Sequence, residues 1–266
     1  MTRRNLAAVD LVAGYDHTPI VQGVSLNIPA GSITAIIGAN ACGKSTLLKT
    51  FARLIRPMAG RVTLDGQDVH SLPPKRLARM VGLLPQSPVV PEGIAVADLV
   101  SRGRYPHQSF LGGMTKADVA AVDRALADMG IAALAGRNVD ELSGGQRQRV
   151  WIAMALAQET DILLLDEPTT YLDIAHQMEI LDLLTDLNRE RGTTIVMVLH
   201  DVSLAARYAD HLIALRAGRL MAQGAPGEIV TEALIRDVFE LDCAVISDPL
   251  TGAPFVVPKG RHHGAA

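Results

Sequence analysis

Aromatic side chains are scarce in this chain. One Trp, four Tyr and four Phe amount to 3% of 266 residues, against an apolar fraction of 48%. A buried core therefore has to be built from Ala, Val, Leu and Ile. Cysteine is scarcer still. Cys42 and Cys243 are the two present, which excludes a disulfide scaffold and fits a reducing compartment. Net charge is close to balanced at −3, with Lys and Arg scattered along the chain, so no electrostatic footprint for a nucleic-acid partner is present. No run approaches the ~18 uninterrupted apolar residues of a membrane span. The N-terminal "MTRRNLAAVDLVAGY" starts with charge, but Asp10 breaks the apolar stretch before a signal-peptide core develops. These absences lead us to expect a soluble, cytosolic chain that reaches a membrane only through a partner.

What is present is an alternation of short apolar strands and helices. "LAAVDLVAGY", "VSLNI", "SITAIIG" and "RVTLDG" are separated by Gly and Pro, as strands are. One helix interrupts them, predicted over 44–55 and stopping before Pro57. "MVGLLPQ" is a further buried strand. Helices and loops dominate 87–157, where Thr115 is a candidate N-cap, Asp118 completes a capping box and Gly130 is a stop. Strands then return as "DILLLDEP" and "TTIVMVLHD", continuous apolar runs of the kind buried on both faces of a parallel sheet. Between them "AHQMEILDLLTDLNRERG" has helical spacing and ends at Gly192. Beyond Gly224 one helix ("EIVTEALIRDVFE") and a hairpin-like "VISDPLTGAPFVV" are expected. The fold class is α/β with a mainly helical insert.

Two stretches carry phosphate chemistry. "GANACGKST", residues 38–46, is a strand-to-helix loop with two glycines, then Lys and Ser. Backbone N–H groups of Gly38, Ala39, Asn40, Ala41, Cys42, Gly43 and Thr46 can wrap phosphates in such a loop, Lys44 reaches the terminal ones, and Ser45 ligates Mg²⁺. In "ILLLDEP", Asp166 and Glu167 end a buried strand, the edge of an α/β sheet where ligands bind. Asp166 suits a Mg²⁺ water shell and Glu167 the polarisation of an attacking water. A third stretch, "LSGGQRQRV", offers Ser143 as an N-cap and free backbone at Gly144 and Gly145. It is a second anion-binding helix start in one chain.

The order "GANACGKST", "LLPQ", "LSGGQ", "ILLLDEP", "LD" and "LHD" resembles the nucleotide-binding subunit of ABC transporters, from Tyr15 to about Val257. That resemblance implies a P-loop, RecA-like core with an antiparallel β-subdomain and an inserted helical subdomain. In this chain the core would be 1–86 and 158–223, the helical subdomain 87–157, a C-terminal helix and hairpin 224–257, and a disordered tail 258–266. It implies hydrolysis of ATP with Mg²⁺ in a head-to-tail dimer, where Ser143, Gly144, Gly145 and Gln146 close over the ATP of a second copy. Further roles follow from matching residues. Gln86 would sense Mg²⁺ and the attacking water, His200 would contact the γ-phosphate, Asp173 would reach across the dimer, and Tyr15 would stack on adenine. Ala41 and Cys42 depart from the Gly and Ser common in the family, and alkylation of Cys42 is expected to block ATP binding.

"RGRYPHQ", "RVWIAMALAQET", "DEPTTYLDIAHQ" and "DPLTGAPFVVP" are similar to the ATPases of ferric-siderophore importers. Cobalamin and haem importers, or an exporter, are the alternatives at this point, and behind them a non-transport ABC ATPase. The implied machine has two copies of this chain at the cytoplasmic face of the membrane and two permease subunits gripped through the 86–108 region. An extracytoplasmic binding protein completes it, and no nucleic acid is involved. A solvated basic loop is the other reading of "RGRYPH".

Overall fold

The computed structural model describes residues 4–86, 91–109, 112–170 and 172–260. They form two compact units, residues 4–70 with 196–260, and residues 71–195. The start of the expected helical subdomain, 87–90, and most of the expected tail, 261–266, lie outside the described residues.

In the first unit the alternating burial of β1 (Leu6–Tyr15) matches a strand with one face on the core. It pairs antiparallel with β2 (Thr18–Ile28). The two residues between them, Asp16 and His17, both have positive φ, as a type I′ hairpin turn requires. Every residue of β3 (Ile33–Gly38) is buried, and β3 feeds α1 (Lys44–Phe51). The helix is shorter than its sequence pattern predicts: Ala52 caps it, and Arg53 takes φ 61. Strands β4 (Ala59–Leu64) and β5 (Gln67–Asp68) complete a four-stranded sheet in the order β2-β1-β4-β5.

The second unit holds α2 (Pro74–Ala78), β6 (Val81–Leu84), α3 (Val96–Ser101), α4 (Lys116–Asp128), α5 (Gly144–Ala157), β7 (Ile162–Leu165) and α6 (Ile174–Arg191). β6 and β7 run parallel, Val81 opposite Ile162 and Leu84 opposite Leu165. Helices α3, α4 and α5 pack on one another. The capping box at α4 forms as expected: Thr115 Oγ1 accepts from Asp118 N, and Thr115 N donates to Asp118 Oδ2 at 2.9 Å. Gly192, in the left-handed region, ends α6. Strand β8 (Thr194–Val198) is buried throughout, and the boundary between the units falls inside it, after Ile195.

The chain then rejoins the first unit through α7 (Val202–Tyr208), β9 (His211–Arg216), β10 (Arg219–Gly224), α8 (Pro226–Ile229), α9 (Glu232–Phe239), β11 (Cys243–Ser247) and β12 (Pro254–Pro258). β9 is the parallel neighbour of β3, Thr34 opposite His211 and Gly38 opposite Leu215. The single helix expected beyond Gly224 is two. Thr231 stops and restarts it, its Oγ1 accepting from Leu234 N at 3.1 Å to cap α9. The expected hairpin is β11–β12, and Val256 N donates to Ser203 Oγ at 3.0 Å, which ties it to α7. Pro258 still belongs to β12, and Lys259 N donates to Asp242 O at 2.8 Å, so ordered chain reaches into the stretch expected to be a tail.

Candidate nucleotide-binding and catalytic residues

The phosphate loop leaves β3 at Gly38 and enters α1 through Gly43, the N-cap, at φ 103. Gly38 is required twice over. Its φ is 150, and a Cβ there would lie 2.3 Å from Leu215 O and 2.7 Å from Cys42 Sγ. Lys44 is buried, 5% exposed, and its Nζ donates to Gly38 O at 2.8 Å and Ala39 O at 2.9 Å. Both partners are neutral carbonyls, so they take two of the ammonium's three N–H donors and carry no charge to offset its own. A buried cation within a loop of turning backbone fits a phosphate-bearing ligand. Thr46 is buried behind it. Cys42 is buried as well, and burial pushes its thiol up, so an alkylating reagent meets little thiolate there.

One support of this loop has no motif in the sequence. Gly218, in the turn between β9 and β10, donates its N–H to Cys42 O at 2.9 Å and accepts from Gln22 N at 2.8 Å. A Cβ at Gly218 would lie 1.9 Å from Ile20 O. In sequence Gly218 reads as an ordinary hairpin glycine, and only the tertiary approach of β2 gives it this role. Tyr15 ends β1 beside the I′ turn and is 48% exposed, a ring available for stacking. His200 is exposed two residues after β8, and the next residue, Asp201, caps α7 by accepting from Leu204 N at 2.9 Å.

The other unit carries the acidic pair. Asp166 is buried, 1% exposed, directly after β7, and its N–H donates to Leu84 O at 2.9 Å. Glu167 sits at φ 56, a left-handed conformation that costs a non-glycine residue about 1–2 kcal/mol and is typically retained at functional sites. Its Oε2 accepts from Gln86 Nε2 at 2.7 Å and from Thr170 Oγ1 at 3.0 Å. The structure thus brings together Gln86 and Glu167, 81 residues apart. Thr170 completes that arrangement, and nothing in the sequence singled it out. Ser143 caps α5 in a full capping box with Gln146, Oγ accepting from Gln146 N at 3.3 Å and Gln146 Oε1 accepting from Ser143 N at 3.1 Å. Ser143 and Gly144 are exposed. Asp173 caps α6, Oδ1 accepting from His176 N at 2.9 Å.

The sequence pattern of ABC transporter domains matches residues 21–170, more than half of the chain and inclusive of the phosphate loop, the "LSGGQ" helix start and the acidic pair. This chain belongs to the ABC transporter family. Among ABC relatives, the achromobactin transport ATP-binding protein of Dickeya dadantii is 53% identical over 95% of this chain and 94% of its own. The ferric enterobactin transport ATP-binding protein of Escherichia coli is also 53% identical, over 96% of this chain and 94% of its own. An inward-facing ABC transporter of metal-chelate type matches with a TM-score of 0.84 at 29% identity, covering 97% of this chain and 99% of that one. A dimeric bacterial ABC transporter cassette matches with a TM-score of 0.73 at 27% identity, covering 83% and 98%. The fold is that of an ABC ATPase cassette, and the chain is an ATP-binding, ATP-hydrolysing transport subunit. Among the described residues no helix is long and apolar enough to cross a membrane.

Proposed function

We propose that this chain is the ATPase of an importer for ferric siderophores, working as a head-to-tail dimer on two permease subunits at the cytoplasmic face of a membrane. Near-full-length identity of 53% to two transport ATP-binding proteins, those for achromobactin and ferric enterobactin, supports the cargo class. The catalytic reading rests above all on one contact, the Gln86 amide on the Glu167 carboxylate.

In this reading ATP lies on residues 38–46 of one copy, with its adenine on Tyr15, while Ser143, Gly144, Gly145 and Gln146 of the second copy close over the phosphates. Lys44, His200 and the second copy's helix start supply positive charge and N–H groups where negative charge develops, which is how phosphoryl transfer is accelerated. Gln86 holds the Glu167 carboxylate in one orientation, and Glu167 accepts a hydrogen bond from an attacking water, polarising it as a general base. Ser45, Gln86 and Asp166 would hold Mg²⁺; each offers oxygen, the donor this hard cation takes, and when bound it neutralises phosphate charge. Asp173 faces the second copy. The 86–108 region is the permease grip, part of which, 87–90, lies outside the described residues. Within it "RGRYPHQ" is no loose basic loop. Arg104 is buried, Arg79 Nε donates to Pro106 O at 2.9 Å, and Lys75 Nζ stands 5.3 Å from the Tyr105 ring centre. That rigidity leaves Tyr105, 68% exposed, as a preorganised contact. An extracytoplasmic binding protein would deliver the cargo.

The test is uptake of three labelled cargoes, a ferric-siderophore panel, cobalamin and haem, by the native cell carrying Glu167→Gln. Loss confined to ferric siderophores is expected. Normal uptake of those complexes, with loss of another cargo, would overturn the cargo class.

A further inference from the structure

We propose that His176 is a positioning residue that fastens the "LSGGQ" helix start to Asp173, so that both meet the second copy as one rigid piece; this rests on the composite-site reading above. His176 is the third residue of α6. Its ring Nδ1 lies 2.7 Å from Asp173 Oδ1, the same oxygen that accepts the His176 backbone N–H at 2.9 Å. Those bonds, the backbone one foremost, hold the Asp173 carboxyl below its ordinary range. The carboxylate is therefore ionised at neutral pH and can only accept, which puts a proton on Nδ1.

The opposite edge of the ring lies against Gly145. A Cβ on Gly145 would stand 3.1 Å from His176 Cδ2 and 3.6 Å from Cγ and Nε2, so the ring occupies the space directly over Gly145 into which a side chain would project. One imidazole thus spans the two segments that the composite-site reading sends to the second copy. The Ser143–Gln146 capping box fixes the helix start internally, and His176 ties that start to the neighbouring helix. Ile174, next to Asp173 in the first turn of α6, is a large apolar side chain left 80% exposed. Two segments already joined lose less freedom on association than two loose ones.

A planar ring with a donor on one edge and carbon on the other has two partial mimics. Asn places an amide N–H where Nδ1 stands and keeps an atom near Cδ2. Leu keeps the shape and has no donor. The experiment places His176→Ala, His176→Leu and His176→Asn in a Glu167→Gln parent and follows MgATP-driven dimerisation by sedimentation. Monomer affinity for ATP at low protein concentration and the melting temperature are measured alongside. We expect Ala and Leu to weaken dimerisation by roughly tenfold, the scale of a lost charge-assisted hydrogen bond, and Asn to restore most of it. Monomer ATP affinity and melting temperature stay at the parental values in all three. Parental dimerisation by the Ala variant, equal losses in Asn and Ala, or a loss that tracks a lower melting temperature each overturn the proposal. A parent that stays monomeric in MgATP removes the composite site itself, and the role of His176 with it.

Discussion

Ala41 stands at φ 60 in the middle of the phosphate loop, a conformation glycine adopts without penalty. A methyl group there costs about 1–2 kcal/mol, of which about 0.4–1 kcal/mol returns through the reduced freedom of the unfolded chain. Ala41→Gly should therefore stabilise the protein by roughly 0.5–1 kcal/mol, seen as a rise of about 1–3 °C in thermal midpoint at this chain length. An unchanged or lowered midpoint would show that neighbouring contacts hold the loop whatever residue 41 is. Lys44, Asp166 and Glu167 were legible in the sequence because phosphate chemistry fixes their types and their spacing from a buried strand. Gly218, Thr170 and His176 were not. Gly218 meets Cys42 only through tertiary packing, while Thr170 and His176 sit three residues from Glu167 and Asp173, where a Thr and a His are too common as residue types to mark a role.

At the level of elements, the buried guanidinium of Arg104 binds together the stretch after α3, the start of α4 and the end of α5. Its Nε donates to Asp118 Oδ1 at 2.9 Å, and Nη1 donates to Glu159 Oε2 at 2.8 Å and Ala157 O at 2.7 Å. Removing it strands Asp118 in a buried setting, so Arg104→Ala should cost about 3 kcal/mol or more in urea unfolding. Asp118 titrates in the opposite sense to a buried, unpaired acid. The Thr115 backbone N–H, then the Thr115 hydroxyl and Arg104, hold its carboxyl down at about 2 against an ordinary 3.8. A depressed acid stabilises the fold at pH above its unfolded value. That contribution is complete above about pH 4 and fades as pH falls toward 2. Asp118→Asn should flatten the stability curve over that window, and an unchanged slope would show the titration lies elsewhere. The capping box behind this was readable from Thr115 and Asp118 alone, because caps are local. Arg104 was not, because its partners come from 14 and 55 residues away. The break at Thr231 was missed for the opposite reason, an apolar periodicity that carries on across the cap.

For the molecule as a whole, ATP should be the switch of oligomeric state. Glu167→Gln should elute as a dimer in MgATP and as a monomer without nucleotide, since it keeps the Gln86 contact while losing the base. Lys44→Ala should bind no ATP and stay monomeric; nucleotide affinity like that of the parent would contradict the role given to the buried ammonium. The α/β class was plain in the apolar runs, which are buried end to end in β3, β7 and β8. The division into units was not, since one of them joins residues 4–70 to 196–260 around the continuous stretch 71–195. Strand β3 pairs with β9, and Ile33 N donates to Asp210 Oδ2 across 177 residues of sequence at 2.8 Å. During synthesis, at roughly 5–20 residues per second, the segment bearing Lys44 would leave the ribosome about 10–35 s before its parallel neighbour. Until then β3 lacks its partner strand β9 and Cys42 O lacks the Gly218 N–H, so a seated phosphate loop, and nucleotide binding with it, waits on the synthesis of the β9–β10 hairpin.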